Sequence, residues 1–143
     1  MARIYEIFGI ILVSLMVSAC RESSEASIIV GREWNAGVKV VADTTSLLSL
    51  DDPVFFELRY GKTFDIPALE WSVREVSSGK EIVKRTAAVT SRDAVYTVFL
   101  KNSRGENLKA AQFFKTKTGG DFVIEFKAPG GNLIASKQVQ VKR

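Results

Sequence analysis

The sequence predicts an all-β fold: a single antiparallel β-sandwich of about seven or eight short strands. Three observations predict it. Apolar residues recur with a period of two, in stretches rich in β-branched and aromatic side chains. Gly, Pro, Asn, Asp and Ser punctuate these stretches at intervals of about 8–12 residues. Beyond Cys20 no segment sustains a 3.6-residue apolar period over three helical turns. A small β-barrel is the alternative way to close the same strands.

Taken in order, ordered structure is expected to begin between Ile28 and Val38, and Val38–Ala42 is the first clear strand. Ser46–Leu50 fits a strand or a single helical turn. Next, Val54, Phe56, Leu58 and Tyr60 alternate with Phe55, Glu57 and Arg59, so one face is expected inside and the other toward solvent. Pro53 stands at the start of this run, where a missing backbone donor does least harm. Leu69, Trp71 and Val73 alternate with Glu70, Ser72 and Arg74, and Ser78-Gly79 supplies a hairpin turn into Glu81–Val89. In Ala94–Lys101, Tyr96, Val98 and Leu100 share a face, and Asn102–Asn107 is a loop by composition. Leu108–Lys117 fits a strand or conceals a helical turn within Leu108–Phe114. Gly119-Gly120 then turns into the strand of Phe122, Ile124 and Phe126, and Pro129–Asn132 makes the last turn before Leu133–Val141.

Trp71 in a central strand, with Gly120–Phe126 ahead of a final hairpin, makes Val38–Val141 resemble the immunoglobulin-like domains of bacterial surface proteins. The resemblance implies two packed sheets. Two features of that family are missing: the tyrosine corner would stand at Phe122, which has no hydroxyl, and a single cysteine forbids an internal disulfide.

The chain has 143 residues, 46% apolar and 25% charged, which suits one folded domain and not a disordered segment. Its net charge of +4 is spread among mixed charges, giving a solvated surface with some attraction to anionic ones. There is no histidine. Zinc sites of Cys and His, and Ser-His or Cys-His nucleophiles, are therefore excluded, and no catalytic residue or cofactor is expected. A Ser-Lys nucleophile has the residue types but no distinctive spacing.

The leader is the most specific signal. Arg3 precedes the uninterrupted apolar run Ile7–Val17, too short for a comfortable membrane span of about 20 residues but suited to an export signal. Glu6 departs from the purely positive start usual in such signals. Val17-Ser18-Ala19-Cys20 resembles the bacterial lipobox. That resemblance implies cleavage between Ala19 and Cys20, acylation of Cys20 and retention of the protein at a membrane of the cell envelope. Arg21, where Asp would retain the protein at the inner membrane of an enteric-type Gram-negative bacterium, implies the outer membrane in such a cell, with its periplasmic or surface face left open. The expected division is a signal peptide over 1–19, a lipidated tether over 20–27 and a β domain over 28–143.

Within the domain, Asp51-Asp52 has the chemistry to chelate calcium, but two Asp before a Pro and a strand read first as turn formers. Lys101, Arg104, Lys109, Lys115 and Lys117 form a basic stretch around Phe113 and Phe114. Such a stretch suits anionic lipid or glycan. Nucleic acid is not an expected partner of an exported protein. The adjacent pairs Phe55-Phe56 and Phe113-Phe114 are the candidate partner surface, because neighbours in a strand point to opposite faces and one ring of each pair must leave the first core. The expected function is a non-enzymatic, membrane-anchored envelope lipoprotein that binds another envelope protein through a patch or a strand edge. Asp52–Tyr60 resembles an early strand of the sandwich lipoproteins of type VI secretion systems, which implies an accessory role in a secretion machine. The alternative is a lipoprotein that binds a small apolar or glycan ligand, or acts as an inhibitor.

Overall fold

A computed structural model describes residues 25–143, so the leader and Cys20 lie outside the described residues. Nine strands and one helical turn follow in order: β1 (Ser27–Asn35), β2 (Val40–Thr44), β3 (Leu47–Ser49), β4 (Phe55–Arg59), β5 (Ala68–Glu75), β6 (Glu81–Ala88), β7 (Val95–Val98), α1 (Ala110–Phe113), β8 (Gly120–Lys127) and β9 (Leu133–Lys142). They form two sheets, ordered β2-β1-β4-β7 and β3-β9-β8-β5-β6. Neither closes on itself, so the molecule is a sandwich and the barrel alternative is set aside. The β1-β4-β7 and β6-β5-β8-β9 neighbours reproduce the strand order of an immunoglobulin-type sandwich. Only β3, which pairs in parallel with β9, departs from antiparallel pairing among these strands.

The inward faces follow the period-two pattern. Leu69, Trp71 and Val73 of β5 meet Phe122, Ile124 and Phe126 of β8 across the core from Ile28, Val30, Phe56 and Leu58. Phe56 sits at the centre, with ring centroids 5.4 Å from Trp71, 5.8 Å from Phe113 and 6.1 Å from Phe126.

The structure differs from the sequence expectation in three places. First, ordered pairing starts at Ser27, within the stretch expected to be tether, and β1 is a long strand. Its run Ile28-Ile29-Val30 carries the β-branched signal that marks it. Secondly, of the two readings of Leu108–Lys117 the strand fails and the helical turn within Leu108–Phe114 holds. Its helical turn α1 is held by Ala110 N–H and Ala111 N–H donating to the carbonyls of Asp52 and Leu50, while Lys109 N–H donates to the Gln112 side chain. The N-terminal donors of the turn are thus satisfied by a neighbouring loop and by its own third residue.

Thirdly, both faces of β4 are buried. Past Gly31 the β1–β2 hairpin leaves the edge of β4 and folds over the outer side of the sheet. There Val41 N–H donates to Glu57 Oε2 at 3.3 Å and Trp34 packs edge-on against Phe99 at 4.8 Å. Arg32 and Asp43, opposite each other at the base of the hairpin, pair through two hydrogen bonds of 2.7 and 3.0 Å. Glu57, expected at the surface, is 0% exposed and takes an ion pair with Arg59 at 2.9 Å. A buried carboxylate is tolerated because both oxygens are engaged. Replacing Glu57 with Ala should cost about 1–3 kcal/mol by stripping Val41 N–H and Arg59 of their acceptor. Glu57→Gln should recover part of that loss, read as the urea midpoint of each variant.

Candidate functional site

The four phenylalanines expected to offer a partner surface do not offer one. Phe55, Phe56, Phe113 and Phe114 are all 5% exposed or less. Phe56 enters the main core while Phe55 lies on the opposite face, beside Glu57 and under the hairpin. Phe113 and Phe114 both turn inward because a helical turn sets successive residues about 100° apart rather than on opposite faces. Phe114 stacks obliquely on Phe122 at 4.6 Å. The hydroxyl-free ring at Phe122 is therefore a core aromatic.

The basic residues Lys101, Arg104, Lys109, Lys115 and Lys117 are all exposed. They do not form one patch of free cations. Lys109 approaches Asp51 at 3.6 Å, and the backbones of Lys101 and Asn107 pair at the base of the loop that carries Arg104. Asp52 Oδ2 accepts from Ser49 N–H at 2.8 Å, the work of a turn former. Among the described residues no group of three His, Cys, Asp or Glu is placed to hold a metal ion. The carboxyls with clearly lowered affinity for protons include Asp43, held down by its hydrogen bond from Arg32, and Asp65, held down by Lys62 and then Tyr60. Tyr60 is raised in turn by its hydrogen bond to Asp65. These are exposed pairs on the hairpin and on the loop after β4.

What the structure does bring together is a groove of about 350 Å³ along the outermost strand of the five-stranded sheet. Leu100 and Leu108 contribute its apolar surface over the buried Trp71 and Phe113, and Arg85, Lys115 and Glu81 its charged one, while Lys84 meets it through its backbone. Of the predicted residues only Lys115 and Phe113 line it. It exists because the chain after β7 passes Leu100 and Leu108 across the open side of the sandwich before entering α1, and does not extend the sheet.

The wall formed by β6 is a strand edge. Val89 N–H donates to Pro67 O at 3.1 Å, which sets the phase of the β5–β6 ladder. Leu69–Ala87, Trp71–Arg85 and Val73–Val83 are then the hydrogen-bonded pairs, so the backbone groups of Lys84 and Thr86 point away from the sheet. Cross-strand neighbours share a face, so Arg85 projects on the same side as Trp71, over the groove. A register shift between Val73 and Arg74 leaves Ile82 unpaired in β6 as a bulge. Lys115 Nζ approaches the Ile82 carbonyl to 3.5 Å, and Arg85 Nη1 donates to the Lys84 carbonyl at 3.1 Å.

The edge was missed at the sequence level because Glu81–Val89 reads like any hairpin partner. Lys84-Arg85, two adjacent cations within a strand, was the available signal. No protein-family model matches the chain, and no curated protein matches it.

Proposed function

We propose that the chain is a non-catalytic, membrane-anchored module of the bacterial envelope whose groove beside β6 receives a segment of another envelope protein. The observation that carries this reading is the conjunction of unpaired backbone groups on β6 with the half-buried apolar side chains of Leu100 and Leu108 in the groove beside it. An extended segment that adds to a sheet edge gains main-chain hydrogen bonds and inserts alternate side chains into pockets beside it. The lipobox reading of Val17–Cys20 supplies the anchor, and Arg21 after it favours the outer membrane. An accessory role in a secretion or envelope-assembly machine accords with this arrangement.

Placing a photo-crosslinking amino acid at Lys84 and, as a control, at Ser136 on β9 tests the reading in cells. One dominant envelope protein crosslinked from position 84 and not from 136 supports it. Equal, diffuse products from both positions refute it. In parallel, Cys20→Ser should abolish acylation, leave the precursor uncut and move the protein out of the membrane pellet. A variant still processed and still pelleted would refute the anchor.

The size and apolar lining of the groove favour a second reading, a small apolar ligand. Such a ligand leaves the amides of Lys84 and Thr86 free, whereas a paired segment does not.

A further inference from the structure

The groove carries cations that are not matched by acids. Among the described residues no carboxylate lies within 4.0 Å of Arg85 or Lys115, whereas Lys84 is paired with Glu70 at 3.3 Å. Both unmatched cations rest on neutral carbonyls of the free edge, Arg85 on Lys84 and Lys115 on Ile82. Together with the bulge at Ile82, they blunt the strand that would otherwise be open to indiscriminate pairing.

We infer that β6 is a charge-gated edge whose partner is an extended protein segment carrying acidic side chains. This rests on the proposed protein-binding role of the groove and names the chemistry of what enters it. A hydrogen bond from a cation to a carboxylate is about twice as strong as one between neutral groups. Acidic residues on an incoming strand therefore draw Arg85 and Lys115 off the Lys84 and Ile82 carbonyls. Those carbonyls, with the outward groups of Lys84 and Thr86, then pair with the backbone of the segment. An apolar side chain of the same segment packs on the half-buried Leu100 and Leu108. A neutral strand has nothing to offer the two cations, and a second copy of this chain presents the same cationic wall with only Glu81 to answer it. A fatty acid matches the apolar surface and one cation but leaves the backbone groups unpaired.

The test is a selection of random short peptides, displayed on phage, against the full chain held in neutral phosphatidylcholine nanodiscs. The expected winners alternate apolar residues with Asp or Glu, and slow hydrogen exchange at the Lys84 and Thr86 amides. Synthetic copies should bind the double variant Arg85→Gln, Lys115→Gln about tenfold or more weakly, and lose affinity steeply with added salt. Both substituted residues are exposed, so the variant should keep the parent melting temperature. Winners without acids that still protect the two amides overturn the charge gate and leave the peptide groove standing. Winners that protect other amides, or a library that yields none, overturn both. A concentration-dependent dimer of the unliganded chain protecting the same amides assigns the edge to a second copy and also overturns the inference.

Discussion

Phe56→Ala should lower the stability of the domain by about 3–5 kcal/mol, the largest single-residue effect expected in the described part of the chain. Phe56 is 0% exposed and its ring touches two aromatics of the facing sheet and one of α1. Removing it loses the transfer energy of the ring and leaves a cavity that three other large rings cannot close without shifting. For a domain of this size about 1 kcal/mol corresponds to several degrees, so the melting temperature should fall on the order of 20 °C. Total stability of a small domain is about 5–15 kcal/mol, so the variant sits near the limit of folding at growth temperature. Phe56→Leu, which refills most of the volume, should recover more than half of the loss. A thermal unfolding curve for Phe56→Ala within a few degrees of the parent would show that the two sheets do not depend on this contact. Because Trp71 and Phe113 also line the groove, the same substitution should loosen the groove wall, visible as faster exchange of the β6 amides before global unfolding.

Gly31→Val should destabilise by about 3 kcal/mol for a different reason. Here there is no left-handed backbone to protect. A side chain at Gly31 would place its first carbon 2.3 Å from the Ala42 carbonyl oxygen and 2.7 Å from a methyl of Val41. Gly31 is the point at which β1 stops following β4 and the hairpin folds back, and only hydrogen fits between the two layers. Overpacking typically costs about 1–3 kcal/mol, and here the obstacle is a backbone carbonyl that cannot rotate away. The expected damage is local as well as global. The hairpin should lift, Val41 N–H should lose its bond to Glu57, and Trp34 should leave Phe99, giving red-shifted tryptophan emission together with a urea midpoint lowered by about 1–2 M. Unchanged emission with a lowered midpoint would place the strain elsewhere than in the hairpin. Gly31→Ala meets the same carbonyl with fewer atoms and should cost less.

The two variants report on different layers, and neither touches Arg85 or Lys115. A protein that lost peptide binding through Arg85→Gln and Lys115→Gln while keeping its melting temperature would separate the groove from the core in a way that Phe56→Ala cannot.

By itself the sequence determined the all-β class, most strand positions and the inward faces of β4, β5, β7 and β8. It could do so because burial on one side of a strand writes a period of two into the chain. It also supplied the turn at Gly119, where φ of +94° and the Val141 carbonyl leave room only for glycine. The lipobox reading of Val17–Cys20 is likewise purely sequential and rests on no fold. The remaining features follow from contacts between residues far apart in the chain. The alternation around Glu57 predicted a solvent face, yet a hairpin begun 30 residues earlier covers it, and nothing local to β4 announces that cover. Phe113-Phe114 looked like a strand pair because four residues are too few to establish a helical period, and α1 depends on carbonyls of the distant 50–52 loop as well as on its own Gln112. The groove was equally invisible. Its surfaces come from Trp71, from Glu81–Arg85 and from Leu100–Lys115, brought together only because β6 ends its sheet and the chain after β7 crosses the open side. Period-two patterning records which face of a strand is buried, and it carries no record of which strand is left at the edge.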